Sequence, residues 1–164
     1  MITRPLTSSI TCLKMVIWSM KMSSVTNLRD DYREALLGFM TAMNEWESSG
    51  YKKSLQAFTD DSLEDGLEQS LRNDLLVVFK KYVVDEGRNY DRVENIVCGR
   101  SPEYDLVNDD VEIYDGKGSE VSVIIRKNTG LRACFKLSLI VEGGLCKVSR
   151  RDLQDDKEWQ RTYV

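Results

Sequence analysis

Carboxylates are the side chains of this sequence that are best arranged to do chemistry. Two runs stand out because neither contains a basic residue. The first run lies within residues 60–68 and consists of Asp60, Asp61, Glu64, Asp65 and Glu68. The second lies within residues 103–115 and consists of Glu103, Asp105, Asp109, Asp110, Glu112 and Asp115. Such runs are usually solvated faces, but they also form electrostatic surfaces that attract a basic partner and set its specificity.

Histidine is absent from the sequence, which restricts the chemistry further. The chain therefore lacks the commonest general base, the Ser–His–Asp triad and histidine metal sites. No phosphate-binding or nucleophile-elbow motif occurs, since Gly116-Lys117-Gly118-Ser119 joins two predicted strands rather than a strand and a helix. Asp109 and Asp110 are adjacent, so on a strand they would face opposite sides. These features disfavour catalysis, although the seven tyrosines leave an Asp–Tyr site in a cavity as an alternative.

The four cysteines are widely scattered and include no CxxC pair. They are Cys12, Cys98, Cys134 and Cys146. Zinc sites usually have closely paired ligands, so the spacing favours free thiols packed as small hydrophobes over a disulfide or a metal site. We therefore expect no metal and no cofactor, and a reducing compartment, the cytoplasm.

The net charge is negative and unevenly distributed. The chain has 23 basic and 27 acidic residues, a formal charge of −4. Residues 1–26 contain Arg4, Lys14 and Lys21 but no acid, so the rest is more acidic still. An acidic domain disfavours nucleic acid and anionic lipid as partners and favours a basic protein. No apolar run reaches the roughly 18 residues of a membrane span, and we expect residues 1–26 to be a disordered leader or an overextended gene start.

The first half of the sequence has the periodicity of amphipathic helices. A first helix is predicted from Asn27 to the Ser48-Ser49-Gly50 stop, and a weaker one over residues 51–58. A third follows, in which apolar residues keep helical spacing until Gly87. Its stripe consists of Leu67, Leu71, Leu75, Val78, Phe79 and Tyr82. Trp46 lies on the apolar stripe of the first helix, so we expect it and Tyr82 to pack in the core.

From Arg92 the apolar period changes to two, which predicts strands. We expect strands over 93–98, 111–114, 121–125, 135–141 and 145–151, joined by short glycine-containing turns. Short turns require antiparallel neighbours. The fold class is therefore α+β, with N-terminal helices packed on a curved antiparallel sheet and one domain over residues 27–164. Trp159 and Tyr163 lie in a charged tail. For these two aromatic residues we expect one of three arrangements: they fold back on the sheet, they cap a cavity, or they anchor an interface.

Several short strings resemble the immunity-protein branch of the nuclear transport factor 2-like superfamily. They are FMTAMNEWE (residues 39–47), FKKYVVDEGRNY (79–90), EYD (103–105) and DDKEWQRTYV (155–164), and together they cover about residues 33–164. The resemblance implies a cone-shaped fold, no shared catalytic residues and a role as the antidote of a bacterial polymorphic or contact-dependent toxin. Two features depart from the family pattern: the leader before Ser23 has no counterpart, and Cys146 stands where a tryptophan is expected.

The leading hypothesis is a cytoplasmic immunity protein that occludes one cognate toxin stoichiometrically. The predicted partner-binding residues are the acidic residues of both runs together with an aromatic residue of the tail. They are Glu103, Asp105, Asp109, Asp110, Glu112, Asp60, Asp61 and Trp159. The alternatives are a cavity-type isomerase or dehydratase of the same fold and a non-enzymatic dimerisation domain. The expected partner is the toxin, with a basic surface if the acidic runs bind it, and the chain itself is expected to be a monomer or a homodimer.

Overall fold

The computed structural model describes residues 28–60, 66–115 and 118–164. Two long helices come first, α1 (Asp30–Thr59) and α2 (Leu67–Tyr82), followed by the single-turn α3 (Asp91–Glu94). Five strands follow: β1 (Asp110–Asp115), β2 (Glu120–Arg126), β3 (Cys134–Glu142), β4 (Leu145–Asp155) and β5 (Glu158–Thr162). The α+β class and the order of helices before an antiparallel sheet are as the sequence predicts. The leader predicted for residues 1–26 lies outside the described residues.

The helix predicted to stop at Gly50 instead continues without a break to Thr59. Glycine costs about 1 kcal/mol in a helix interior relative to alanine, but Gly50 is buried and packs against the segment that carries Cys98. A Cβ at position 50 would lie 2.4 Å from the Cys98 sulfur and 3.2 Å from Leu71 Cδ2. The glycine therefore permits a close approach between α1 and its neighbours and does not end the helix.

Replacing this glycine tests the close approach. Gly50→Ala should lower the free energy of unfolding by about 1–3 kcal/mol, because overpacking outweighs the gain in helix propensity. Urea unfolding of Gly50→Ala in the wild-type and in the Cys98→Ala background measures the effect. The cost should largely disappear without the sulfur. Stabilisation by Gly50→Ala in the wild-type background would contradict the packing argument.

The predicted strand over residues 93–98 is wrong. Val93 belongs to α3, and residues 96–99 form no regular element. This segment is held by side chains instead of by a strand partner: the Arg72 guanidinium donates to the Val93 carbonyl (3.1 Å) and to the Glu94 carbonyl (3.3 Å). Helix α2 covers the predicted stripe from Leu67 to Tyr82 but ends before the predicted stop at Gly87, beside Val83, which forms a single bridge with Val148 of β4.

The sheet is a five-stranded meander in the order β1-β2-β3-β4-β5, with all neighbours antiparallel. Strand β4 is longer than predicted, and β5, which carries Trp159, was not predicted as a strand. One cross-strand row on the inner face runs Val111–Ile125–Phe135–Leu153. The next row on the outer face runs Glu112–Ile124–Lys136–Asp152–Arg161.

The core lies between the inner face of the sheet and the apolar stripe of α1. Leu36, Phe39, Met40 and Met43 of that stripe are fully buried. Trp46 is also buried, as expected, and its indole N–H donates to the Leu71 carbonyl of α2 (2.9 Å). The described helices include none long and apolar enough to cross a membrane. At one end of the cone, the inner face of the sheet and the loops next to it leave a cavity, where the second acidic run begins.

Candidate functional site

The first carboxylate of the second acidic run, Glu103, lies inside the cone and not on an acidic surface. One of its oxygens accepts from Arg151 Nη2 (2.6 Å), and the other pairs with Arg92 Nη1. Both guanidinium groups are almost fully buried, whereas the Glu103 side chain is 24% exposed. Burial alone would raise the pKa of Glu103, but the two arginines outweigh it and hold the pKa below its usual value. Glu103 is therefore an ionised bridge in which each carboxylate oxygen pairs with a buried guanidinium group.

The bridge extends to helix α1 through Glu47. This buried carboxylate pairs with Arg92 Nη2 and accepts the backbone N–H of Glu103. Burial raises the pKa of Glu47, and Arg92 only partly opposes the rise. The guanidinium of Arg151 also stacks 4.0 Å from the Phe135 ring centre and donates to the Tyr163 carbonyl. The Glu47–Arg92–Glu103–Arg151 network thus fastens the loop before β1 to α1, α3 and β4.

A second buried ion pair joins Asp109 to Lys127, and both side chains are at most 5% exposed. The Lys127 ammonium lies 2.8 Å from Asp109 Oδ2 and donates to the Pro102 carbonyl at 3.0 Å. The same carboxylate oxygen accepts the Asp105 amide N–H. Asp109 therefore fixes the loop between residues 102 and 109 to the end of β2, and it is not available to a partner in the folded chain.

The remaining acidic residues of the second run are also engaged. Asp105 accepts hydrogen bonds from the backbone amides of Val107 and Asn108 and from the Asn108 side chain. Burial would raise the pKa of Asp105, but these hydrogen bonds outweigh burial and lower the pKa. Asp110 accepts from Asn128 (2.9 Å), and Glu112 forms an ion pair with Arg126 across β1 and β2 (2.7 Å). These three residues remain on or near the surface. The second run is therefore not a continuous exposed acidic surface, because its members at 103 and 109 face inward.

The first acidic run is described only in part. Asp60 is exposed and follows the last residue of α1, and Glu68 forms an exposed ion pair with Arg72 one turn along α2. Asp61, Glu64 and Asp65 lie outside the described residues. The described residues of the two acidic runs therefore do not form a common site.

The cavity at the open end of the cone has a volume of about 520 Å³ and combines apolar walls with the charged network. Phe135, Leu153 and Tyr163 line it together with Glu103 and Arg151. The nearby Tyr104 hydroxyl is fully buried and finds no hydrogen-bond partner among the described residues, and burial raises its pKa well above the usual value. An Asp–Tyr catalytic site needs a carboxylate free to take a proton. The carboxylate of this cavity instead lies between two arginines that keep it ionised and occupied.

Trp159 folds back on the sheet through β5 and lies on its outer face, away from the cavity. Its ring is 6.4 Å from that of Tyr114 on the opposite edge strand, and the Lys136 ammonium lies 4.8 Å from the Trp159 ring centre. Lys136 also approaches Asp152 (3.6 Å), a buried carboxylate that accepts from Arg150. Tyr163 is the aromatic residue of the tail that lines the cavity mouth.

The cysteines described are free thiols that are half-buried. Burial raises the pKa of Cys98 and of Cys146 to about 11 and also raises that of Cys134. Such thiols are mostly protonated near neutral pH, so they are poor nucleophiles. No group of three or more cysteine, aspartate or glutamate side chains within the described segments could hold a metal ion.

Helices that cover a curved five-stranded antiparallel sheet define an α+β domain of the nuclear transport factor 2-like class. This chain belongs to the NTF2 fold immunity protein family, whose family model matches residues 31–163. Neither the curated proteins nor the solved structures contain a significant match to it.

Proposed function

We propose that this chain is a cytoplasmic immunity protein that binds one cognate toxin and blocks it by stoichiometric occlusion, without turnover. The single observation that carries the proposal is the match of the immunity family over residues 31–163, essentially every described residue. Immunity proteins act as binding partners, so the fold needs a rigid surface and not a reactive site. We assign this role to one domain over residues 27–164.

The interior of the cone supports a non-enzymatic role. Each buried carboxylate there, Glu47, Glu103 or Asp109, pairs with a buried cation. Such pairs fix loops in place, and a proton-transfer site would instead leave one carboxylate next to substrate space and unpaired. The cavity-type isomerase remains the alternative that these contacts favour least.

Of the residues predicted to bind the toxin, we retain those whose side chains lie on or near the surface. Asp60, Asp105, Asp110 and Glu112 are available in this sense, and so is Trp159 on the outer face of the sheet. Glu103 and Asp109 act indirectly in this proposal, because they hold the loop that presents Asp105 and Asp110. A partner that contacts this edge would carry basic groups.

Co-expression with the product of the neighbouring upstream gene, as the candidate toxin, tests the function. The full chain should restore growth of cells that produce the toxin, and the purified pair should elute as a complex with a fixed subunit ratio in light scattering. Rescue should fall once the toxin is in molar excess, since occlusion consumes one immunity protein for each toxin. Absence of both binding and rescue would contradict the proposal, and rescue at a small fraction of one equivalent would indicate an enzyme instead.

A further inference from the structure

Another hollow lies along helix α1 and shares no lining residue with the cone cavity. It has a volume of about 1110 Å³, and we call it the α1 groove. Its walls are α1, the end of α2 and the tip of the β3–β4 hairpin. From Asp30 to Glu45 the helix alone provides a length of about 22 Å.

The floor of the groove is formed by small residues of α1 and by one aromatic ring. A Cβ at Gly38 would lie 2.8 Å from the Tyr82 hydroxyl oxygen and 3.0 Å from Tyr82 Cε1, so this glycine is what allows the ring to lie across the helix. Ala42 continues the floor by one turn, where a second hollow of about 200 Å³ shares Ala42 and Glu45. The two hollows together form one continuous trough along the seam between α1 and α2.

The walls of the groove are apolar and open to solvent. Leu37 and Leu106 are half-buried, and Leu145 at the hairpin tip is 62% exposed. Together these three leucines place exposed apolar surface beside the hollow. The groove therefore offers apolar contact area along its length as well as charge at its rim.

The rim of the groove is acidic. Four carboxylates line it, and only two cations, Arg33 and Lys81, oppose them. Asp30 pairs with Arg33 and Asp31 with Arg29, whereas Glu34 and Glu45 form no ion pair with any described residue. These two exposed glutamates lie eleven positions apart in the sequence, about three helical turns along the same groove. A cationic residue of a partner would meet an unpaired carboxylate at either end.

We propose that the α1 groove binds a basic, amphipathic segment of the toxin, with its apolar side chains on Tyr82 and Leu145 and its cations on Glu34 and Glu45. This inference rests on the proposed function. A second copy of the chain is a poorer occupant, because a twofold contact through this groove would place its acidic rim against itself. The basic segment within residues 1–27 of the same chain is the other occupant that the test must distinguish.

Charge reversal of the two unpaired glutamates tests the groove in the full chain with the co-expressed toxin. Glu34→Lys/Glu45→Lys should raise the Kd for the toxin about 100-fold and reduce the salt dependence of the association rate. The control, Glu86→Lys/Glu94→Lys, changes the net charge equally at exposed positions outside the groove and should leave the Kd within about threefold of wild type. Melting curves check folding, and Glu34→Gln/Glu45→Gln gives a milder variant with an intermediate loss.

The possible outcomes distinguish a failure of the proposed groove from a failure of the proposed function. An unchanged Kd for the charge-reversed chain, with wild-type rescue, overturns the groove and leaves the immunity role intact. A wild-type chain that neither binds the toxin nor rescues growth overturns both. Hydrogen exchange of the free chain adds a further check, since protection of residues 33–45 that the double reversal abolishes without toxin would assign the groove to residues 1–27. A free dimer that the double reversal dissociates would assign it to a second copy.

Discussion

Replacing Glu103 by glutamine should lower the free energy of unfolding by about 3 kcal/mol, because the change leaves Arg92 and Arg151 without their shared counter-charge inside the protein. The glutamine also turns an N–H₂ group toward one of the two guanidinium donors. For a chain of this length the melting temperature should fall by about 10 °C. Thermal and urea unfolding at neutral pH measure the loss.

Acidification provides a second readout of the same bridge. The pKa of Glu103 is lowered in the folded chain, so its ionised form contributes stability above the unfolded value of about 4.3, and this contribution is lost as the pH falls through the folded value. The stability difference between wild type and Glu103→Gln should therefore be full at pH 7 and shrink below about pH 4. At low pH the Glu103 carboxyl of the wild type is protonated and therefore uncharged, as the glutamine side chain is, so the two proteins no longer differ in charge at this position.

The matched control is Glu112→Gln at the surface. Glu112 pairs with Arg126 at 2.7 Å, but both side chains are about half exposed, so the loss should be at most about 1 kcal/mol. If Glu103→Gln melted within 2 °C of wild type, the buried network would have no structural role. The carboxylate would then be a candidate for direct contact with the toxin or with a small ligand in the cavity.

Much of the fold is predictable from the sequence because its apolar periods are strong. The stripe from Leu67 to Tyr82 gives α2 with its observed bounds, and the alternation of Val121, Val123 and Ile125 gives the inner face of β2. The continuity of α1 was missed, because Ser48-Ser49-Gly50 has the composition of a helix stop. Only the tertiary contact of Gly50 with Cys98 shows that this glycine serves packing.

Strand β5 was missed for a different reason. Its sequence EWQRT is an edge strand rich in charge, and its one large aromatic residue faces the outer surface, so no apolar alternation indicates a strand. It is the pairing with β4, from Arg151–Thr162 to Asp155–Glu158, that holds it in place. Such pairing depends on the neighbouring strand and leaves little trace in the local sequence.

The candidate site was harder to predict because its cations come from elements that look ordinary in sequence. Arg150 and Arg151 are adjacent in β4, and simple alternation from the buried Val148 would point Arg150 inward. A β-bulge intervenes: Leu139 pairs with Val148, whereas Ser138 pairs with Arg150 and Leu137 with Arg151. The extra residue reverses the faces, so Arg151 enters the cone and Arg150 reaches the surface. A bulge of this kind cannot be read from periodicity.

The second acidic run was interpreted as a surface because its counter-charges come from other parts of the chain. Residues 103–115 contain no basic residue. The basic residues that pair with this run lie outside it in the sequence, at positions 92, 127 and 151. Within the described part of the chain, the rim of the α1 groove is acidic as well, and there Glu34 and Glu45 are separated in sequence by mostly apolar residues. Charge density in sequence and charge density in space thus point to different faces of the molecule.

Asp109 and Asp110 are adjacent in the sequence, but Asp109 is buried and Asp110 is exposed in the folded chain. Asp109→Asn should cost about 3–5 kcal/mol, because it leaves the buried Lys127 ammonium without its counter-charge. Asp110→Asn should cost less than about 1 kcal/mol, since its exposed carboxylate accepts from the Asn128 amide. Urea unfolding of the two variants under identical conditions measures the difference between neighbouring residues of the same type.

A double variant then distinguishes the effect of leaving Lys127 unpaired from the effect of the substitution at position 109 itself. Burial raises the pKa of Asp109 despite Lys127, which indicates that ionisation of this carboxylate is costly in its buried setting. Removing both charges in Asp109→Asn/Lys127→Met should therefore recover most of the stability that Asp109→Asn loses, because no unpaired charge is left inside. A double variant that is less stable than Asp109→Asn would show instead that the hydrogen bond that Lys127 donates to the Pro102 carbonyl holds the loop independently of the charge pair. In that case the loop bearing Asp105 and Asp110 would be positioned by backbone contacts, and charge reversal at Asp110 alone would be the cleaner test of its contact with the toxin.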